Sequence, residues 1–352
     1  MTETDRAESV RMIRDSVGAI VRVGGDLKRI RALRGGPGTV DPAIWRQVVE
    51  LGWLALLIDE DQGGLGLNVR ELTAIAEELG AALVPEPVTA VVAMAPLLTG
   101  SARQEVMAGT RIVLPAWREE LASLDAEPRT KLTDGKVTGT KILIAAADSA
   151  DSFVVSTDSV AVLVERSANG VELDLKRAHD GGLSGTLTMT DAPCEPIAGD
   201  FAGALNVLAL AESGYLLGAA ERAFAMTLDY LATRQQFGRL IGSFQVLQHR
   251  AAEAKIQLAL SRAVLGEALA DVERGATPVE RMRSRSRAVA RVSDTAMLIA
   301  REAVQMHGAI GITDEHDIGL FCRKILTNYN RFGTASANRS RYLDSLRPEH
   351  AL

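Results

Sequence analysis

RQQFGRLIGSFQVLQHR, Arg234 to Arg250, interrupts a long helical pattern. Before it, LNVLALAESGYLLGAAERAFAMTLDYLATR (205–234) places apolar residues at three- and four-residue steps. After it, SFQVLQHRAAEAKIQLALSRAVLGEALADVERG (243–275) resumes the same spacing. The break falls at Phe237-Gly238, with arginine and glutamine on one side and a glutamine-rich turn on the other. Two further helical segments follow, PVERMRSRSRAVARVSDTAMLIAREAVQMHG (278–308) and ITDEHDIGLFCRKILTNYN (312–330). Long helices joined by short connections predict an antiparallel four-helix bundle over 198–352.

The chain upstream changes period twice. IRDSVGAIVRV, DPAIWRQVVELGW and VRELTAIAEELGAALV read as helices, so 1–108 is expected to be helical. Asp41 before Pro42 supplies a side-chain cap and then a ring that already holds helical φ. The glycine-rich DEDQGGLGLN interrupts two of these helices. RIVLPAW, KVTGTKILIAAA, SFVVST, VAVLVER, GVELDL and SGTLTMTD are short β-branched runs, which predict a β domain over 109–197. The fold class is therefore α+β, in the order helices, strands, helices.

Composition narrows the function. Of 352 residues 47% are hydrophobic and only 4% aromatic, which gives a large aliphatic core. Lys+Arg 39 and Asp+Glu 45 are interspersed, for a net charge of −6, and no basic block marks a nucleic-acid surface. Cys194 and Cys322 stand alone, so neither a metal site nor a disulfide framework is expected, and a reducing cytoplasm fits. The sequence reads as having no apolar run long enough to span a membrane. His249 and His307 lie inside the motifs treated next, while His179, His316 and His350 read as surface or loop residues. The arginines of ERMRSRSRAVAR read as a solvated helix face.

The helix–strand–helix order, with the quoted stretch between the first two long C-terminal helices, resembles the acyl-CoA dehydrogenase family over nearly the whole chain. RQQFGRLIGSFQVLQHRAAE looks like that family's RxxFGxxIxxFQxxQHxxA signature, and QMHGAIGIT (305–313) like its QxxGGxG turn. LGWLALLIDEDQGGLGLN and GTKILIAAADSADSFVVST are similar to its N-terminal glycine segment and its mid-domain strand pair. The resemblance implies FAD bound across a dimer interface. One subunit's middle domain holds the flavin ring, and the other's bundle reaches the ADP half. It assigns Arg234, Phe237, Gln245, Gln305, Gly308 and Thr334 to FAD, with Ala309 where the family has a second glycine. The residue types suit such a contact. A guanidinium offers parallel donors to phosphate, Phe an apolar wall to adenine, and glycine close backbone approach.

Two departures stand out. The family's catalytic glutamate, in YEGT, corresponds to Phe332 in NRFGTASANR, and phenylalanine takes no proton. Some members carry the base on the first long C-terminal helix. Counting back from RQQFG, that position is Leu208, with Glu212 one turn later as an alternative base. The loop that usually cups flavin and substrate reads LPAWREELASLD, and the ring-contacting strand reads LIAAAD, Leu143 to Asp148. Trp117 reads as a packing residue.

The half of a FAD site that the chain builds for itself is thus degraded, and the half it lends is kept. This implies a related catalytic subunit as partner, in an arrangement similar to the heteromeric α2β2 enzymes of actinobacterial steroid degradation, with a bulky steroid side-chain CoA thioester as substrate. Three other readings stay open: a self-sufficient dehydrogenase using Glu212, a flavin enzyme of other chemistry, and a flavin-free binding protein of this fold.

Overall fold

The structure, a computed structural model, describes residues 3–20, 27–36, 38–120 and 128–347. In chain order the helices are α1 (Glu3–Ile20), α2 (Lys28–Leu33), α3 (Pro42–Glu50), α4 (Val69–Ala81), α5 (Val88–Met94) and α6 (Gly100–Met107). The strands β1 (Val113–Ala116), β2 (Lys131–Thr133), β3 (Lys136–Ala145), β4 (Ser152–Val155), β5 (Val162–Glu165), β6 (Val171–Arg177), β7 (Leu183–Pro193) and β8 (Glu195–Pro196) follow. Then come α7 (Phe201–Thr233), a hairpin of β9 (Gln235–Gln236) and β10 (Arg239–Leu240), α8 (Gln245–Glu273), α9 (Pro278–His307), α10 (Ile318–Asn328) and α11 (Ala335–Ser345). The fourth bundle segment is therefore two eleven-residue helices rather than one long one.

Packing divides the chain in a way that cuts across element type. One compact unit joins 1–31 and 69–84 to 209–352, and the other holds 32–68 and 85–208.

In the first unit α4 lies against α7 where both helices lack side chains. A Cβ on Gly218 would stand 1.9 Å from the Glu77 carbonyl oxygen, and one on Gly80 would stand 2.0 Å from that of Tyr215. The Tyr215 hydroxyl donates to Val84 O at 3.0 Å beside this crossing. Charge brackets it: buried Glu77 accepts from both Arg14 and Arg262, and Arg262 also grips Glu221 at 2.7 Å. Arg70 holds Glu273 of α8 through two bonds of 2.8 Å. The α9 start has a reciprocal cap, in which Thr277 and Glu280 each bond the other's backbone N–H.

α7 is predominantly apolar, with only Glu212, Glu221, Arg222 and Asp229 charged along its 33 residues. Among the described residues it is the one helix long and apolar enough to cross a membrane, which corrects the sequence expectation of no such run. Of its most apolar window 61% is buried inside the protein, the condition of a core helix.

The second unit contains two four-stranded sheets. One runs β1-β4-β5-β8, with β1 and β4 parallel, and the other runs β2-β3-β7-β6, antiparallel throughout. A buried ion pair links them. Lys141 on β3, fully buried, donates to Glu119 at 2.6 Å and to Ser156 at 2.9 Å. Burial alone would raise the Glu119 carboxyl, but hydrogen bonds from Lys141, Thr130 and two backbone N–H groups hold it down to about 2. Asp41 caps α3 as expected, accepting from Ala43 N–H at 2.9 Å with Pro42 at the first helical position. In the glycine-rich segment after α3, Gly63 and Gly66 take positive φ, and a Cβ on Gly64 would meet Ile58 O at 2.0 Å.

Candidate functional site

The quoted stretch breaks the helix because it forms a two-residue hairpin. α7 stops at Thr233, Gln235 and Gln236 pair antiparallel with Leu240 and Arg239, and Phe237-Gly238 makes the turn. Both turn residues have positive φ, 54° and 77°, the requirement of a type I′ turn. Glycine takes that conformation freely, whereas phenylalanine is strained there. Phe237 is also 89% exposed, its ring edge-on to Phe244 at 6.2 Å. The Arg239 guanidinium lies 3.9 Å over the Phe244 ring and fixes the hairpin base.

Arg234 leaves α7 exposed, its N–H donating to Tyr230 O and its carbonyl accepting from Ile241 N–H, each at 2.9 Å. Gln245, the first residue of α8, is exposed as well. On α9 the last turn carries exposed Gln305, and Gly308 caps the helix at φ 66°, ψ −141°, a region closed to side-chain-bearing residues. A Cβ on Gly308 would meet nothing within 4 Å, so its backbone faces open space.

The two motifs meet at one end of this unit. The Tyr230 ring, one turn before Arg234, stacks on the ring of His307, which directly precedes Gly308, with centroids 4.5 Å apart. His316 closes the cluster 4.6 Å from His307. His316 lies in the loop before α10, as the sequence leads one to expect, but is half-buried by this contact. No local signal marks it, because its partners lie 9 and 86 residues away in the chain and meet only through the bundle.

Thr334 caps α11, accepting from Ala337 N–H at 3.0 Å, and lines a cleft of about 540 Å³. The opposite wall is α9, through Asp294, Met297, Leu298 and Arg301. Gln305 continues that helix face one turn further on. Arg234, Gln305 and Thr334 are thus on one unit, with α9 as common wall for the last two.

The position expected to carry a base holds Phe332, half-buried, with its carbonyl accepting from Asn338 at 2.9 Å. Beside it, Arg331 donates to Glu212 at 2.9 Å, and both side chains are largely buried. Glu212 is thereby brought next to the 331–332 stretch although 119 residues separate it from Arg331.

In the second unit the stretch 143–147, expected to face a flavin ring, has an unusual backbone and only apolar side chains. β3 shifts register between Lys141 and Ile144, and Leu143 and Ala146 both take positive φ, 57° and 55°. Leu143 and the alanines offer no side-chain donor, and the Asp148 carboxylate is occupied by the Thr39 N–H and hydroxyl, each at 2.7 Å. Residues 121–127 of the LPAWREELASLD loop lie outside the described residues.

Against FAD, the donor set of the first unit fits: a free-standing guanidinium, two carboxamides, an exposed aromatic wall and an open glycine backbone suit an ADP moiety. Leu143 to Ala147 of the second unit supply no side-chain donor for a flavin ring.

Residues 7–106 match the acyl-CoA dehydrogenase N-terminal domain, and residues 200–346 match the acyl-CoA dehydrogenase C-terminal domain. Acyl-CoA dehydrogenase IpdE2 of Mycolicibacterium smegmatis is 31% identical over 327 residues, covering 90% of this chain and 92% of that protein. The chain belongs to the acyl-CoA dehydrogenase family. Among solved structures, the Tcur3481-Tcur3483 steroid ACAD superposes with a TM-score of 0.88 at 25% identity, covering 96% of this chain and 97% of that one. The ChsE4-ChsE5 complex of Mycobacterium tuberculosis superposes at 0.84 with 24% identity, over 98% of each chain, a likeness of fold.

Proposed function

We propose that this acyl-CoA dehydrogenase chain is a subunit of a heteromeric enzyme that desaturates a bulky CoA thioester of the steroid side-chain class. It lends the ADP-binding half of a FAD site to a related catalytic chain. One observation carries the reading. Phe237 is held by the fold in a strained turn with 89% of its surface exposed. A strained, solvent-facing aromatic is a group shaped for something outside its own unit.

α8 adds support. Its inner face buries Ala254, Leu258, Leu265 and Leu269, yet the opposite face exposes Ile256 at 57% and Leu260 at 48%, with Ala252, Ala259 and Ala263 between. A helix apolar on two faces is built to pack on two sides. Two of the similar solved structures are two-protein assemblies, one of them a steroid enzyme.

In this arrangement Arg234 neutralises pyrophosphate charge, Phe237 covers the adenine, and Gln305 with the Gly308 backbone orients the same half. Bound FAD supplies the hydride acceptor. The carboxylate that removes the α-proton comes from the partner, because Phe332 has none to give.

A second reading keeps the base at home. Glu212 touches the residue beside Phe332, so it lies near the usual base position. It is engaged by a guanidinium there, which favours a structural role.

Flavin absorbance per chain after gel filtration separates the two. Little flavin in the chain alone and one flavin per mixed pair, on co-expression with a related dehydrogenase chain, are the expected results. One flavin per chain in the isolated protein would overturn the shared site, and loss of turnover in Glu212→Gln would then establish the second reading.

A further inference from the structure

The end of the bundle that carries the two cofactor motifs is joined by three rings. Tyr230 closes α7 one turn before Arg234, His307 closes α9 one residue before Gly308, and His316 precedes α10. The Tyr230 and His307 planes lie within 21° of each other, a true stack, while His316 meets Tyr230 edge-on at 6.2 Å.

His307 is only 3% exposed. Its Nδ1 lies 2.7 Å from Ala303 O, so that nitrogen carries the proton and donates. Its Nε2 is buried with no hydrogen-bond partner among the described residues. A neutral ring leaves only a lone pair unsatisfied at that atom. A charged ring would place a second N–H there with nothing to accept it, against another imidazole.

His316 is the titratable group facing His307 from the α9–α10 loop, and Tyr230 faces it from α7. Around His316 lie Asp317 and Arg31, which pair with each other at 2.6 Å, and His316 Nδ1 accepts from Ile318 N–H at 3.1 Å. Burial, with His316 adding to it against the Ala303 bond, holds His307 below the ordinary histidine range, and burial does the same to His316.

We infer that His307 is a positioning residue whose neutral ring, held in a three-ring clamp with Tyr230 stacked on one face and His316 at its side, sets the Gln305–Gly308 turn against Arg234, and that charging it releases this end of the bundle. The consequence for FAD rests on the reading of these motifs given above, while the clamp itself does not. The sign follows from the depressed affinity for protons. The folded state binds fewer protons than the unfolded chain, so stability is full above the ordinary histidine value of 6.5 and is lost as pH falls through the folded one.

The test compares wild type with His307→Phe, which keeps a stacking ring without titration, and with His316→Gln. Thermal unfolding of the chain alone is followed from pH 8 to 5, and flavin retention of the mixed assembly over the same range. Wild type is expected to lose unfolding temperature below pH 6.5 and to hold flavin about tenfold more weakly per proton taken up per pH unit. His307→Phe is expected to flatten both curves, and His316→Gln to flatten them in part. A His307→Phe protein with the full wild-type pH slope would overturn the clamp, whatever flavin does. A flattened slope in a protein that takes up no flavin at any pH, with or without a partner, keeps the clamp and removes the cofactor reading.

Discussion

Glu212 of α7 accepts a 2.9 Å hydrogen bond from Arg331, the residue directly before Phe332. The side chain that the sequence nominates as a displaced base is therefore half of a buried ion pair that ties the first long bundle helix to the segment between α10 and α11.

Removing one partner of such a pair takes away the other's buried counter-charge. Glu212→Gln is expected to lower the unfolding free energy by about 3 kcal/mol, and a double variant with Arg331→Met to recover most of it. Denaturant titration of the two singles and the double measures the coupling. A double variant that loses as much as the two singles added together would show that the pair carries little.

The hairpin tip predicts opposite effects on stability and on cofactor. Phe237→Gly relieves a left-handed phenylalanine and is expected to raise the stability of the isolated chain by up to about 1 kcal/mol. The same change removes the aromatic wall and is expected to reduce flavin content of the mixed assembly. Unchanged flavin content would exclude Phe237 from the adenine contact.

The α4–α7 crossing tolerates no side chain. Gly218→Ala is expected to destabilise by about 3 kcal/mol or to prevent folding, because the obstructing Glu77 oxygen is main chain. Gly266→Ala is the control: nothing lies within 4 Å of its Cβ, and a mid-helix glycine replaced by alanine gains about 1 kcal/mol. Circular dichroism melts of both variants decide the point.

Acid acts on the β unit through Glu119. Its carboxyl is held near 2 in the folded protein against an ordinary 4.5, so its contribution is present above 4.5 and is lost as pH falls toward 2. Unfolding temperature should drop across that interval. In Lys141→Met the drop should shrink, since the strongest donor to Glu119 is gone. An unaltered acid limb in that variant would assign the loss to other carboxylates.

Much of the fold is legible in order and period. The six β-branched runs are β1 and β3 to β7, and the three long helical patterns are α7, α8 and α9 within a few residues. β2 and β8 escape because three- and two-residue strands carry no period. α5 escapes because VTAVVAM is buried on all sides and rich in β-branched residues, which hides a helical stripe. The membrane-length character of α7 is hidden for a related reason: glycines and a few polar residues break its apolar runs in the sequence. At the candidate site, motif spacing singles out Arg234, Phe237 and Gln305, and all three are exposed in the structure. The hairpin is not legible in the sequence, since Phe-Gly is an unusual pair for a type I′ turn. Neither the Arg331–Glu212 pair nor the His316 contact has any local signature, because both depend on how helices far apart in sequence come together.

Gly80, Gly214 and Gly218 also constrain how this chain can change over generations. At Gly80 and Gly218 a first mutation meets the neighbouring helix's backbone, so no single compensating substitution opens the space; at Gly214 it meets the Thr73 methyl and carbonyl. Residues such as Gln305 and Phe237 are exposed, and their loss opens no buried space. Drift is thus free to rewrite the chemistry of a duplicated copy while the helix spacing stays frozen, and a lineage can shed a working active site long before it sheds the fold.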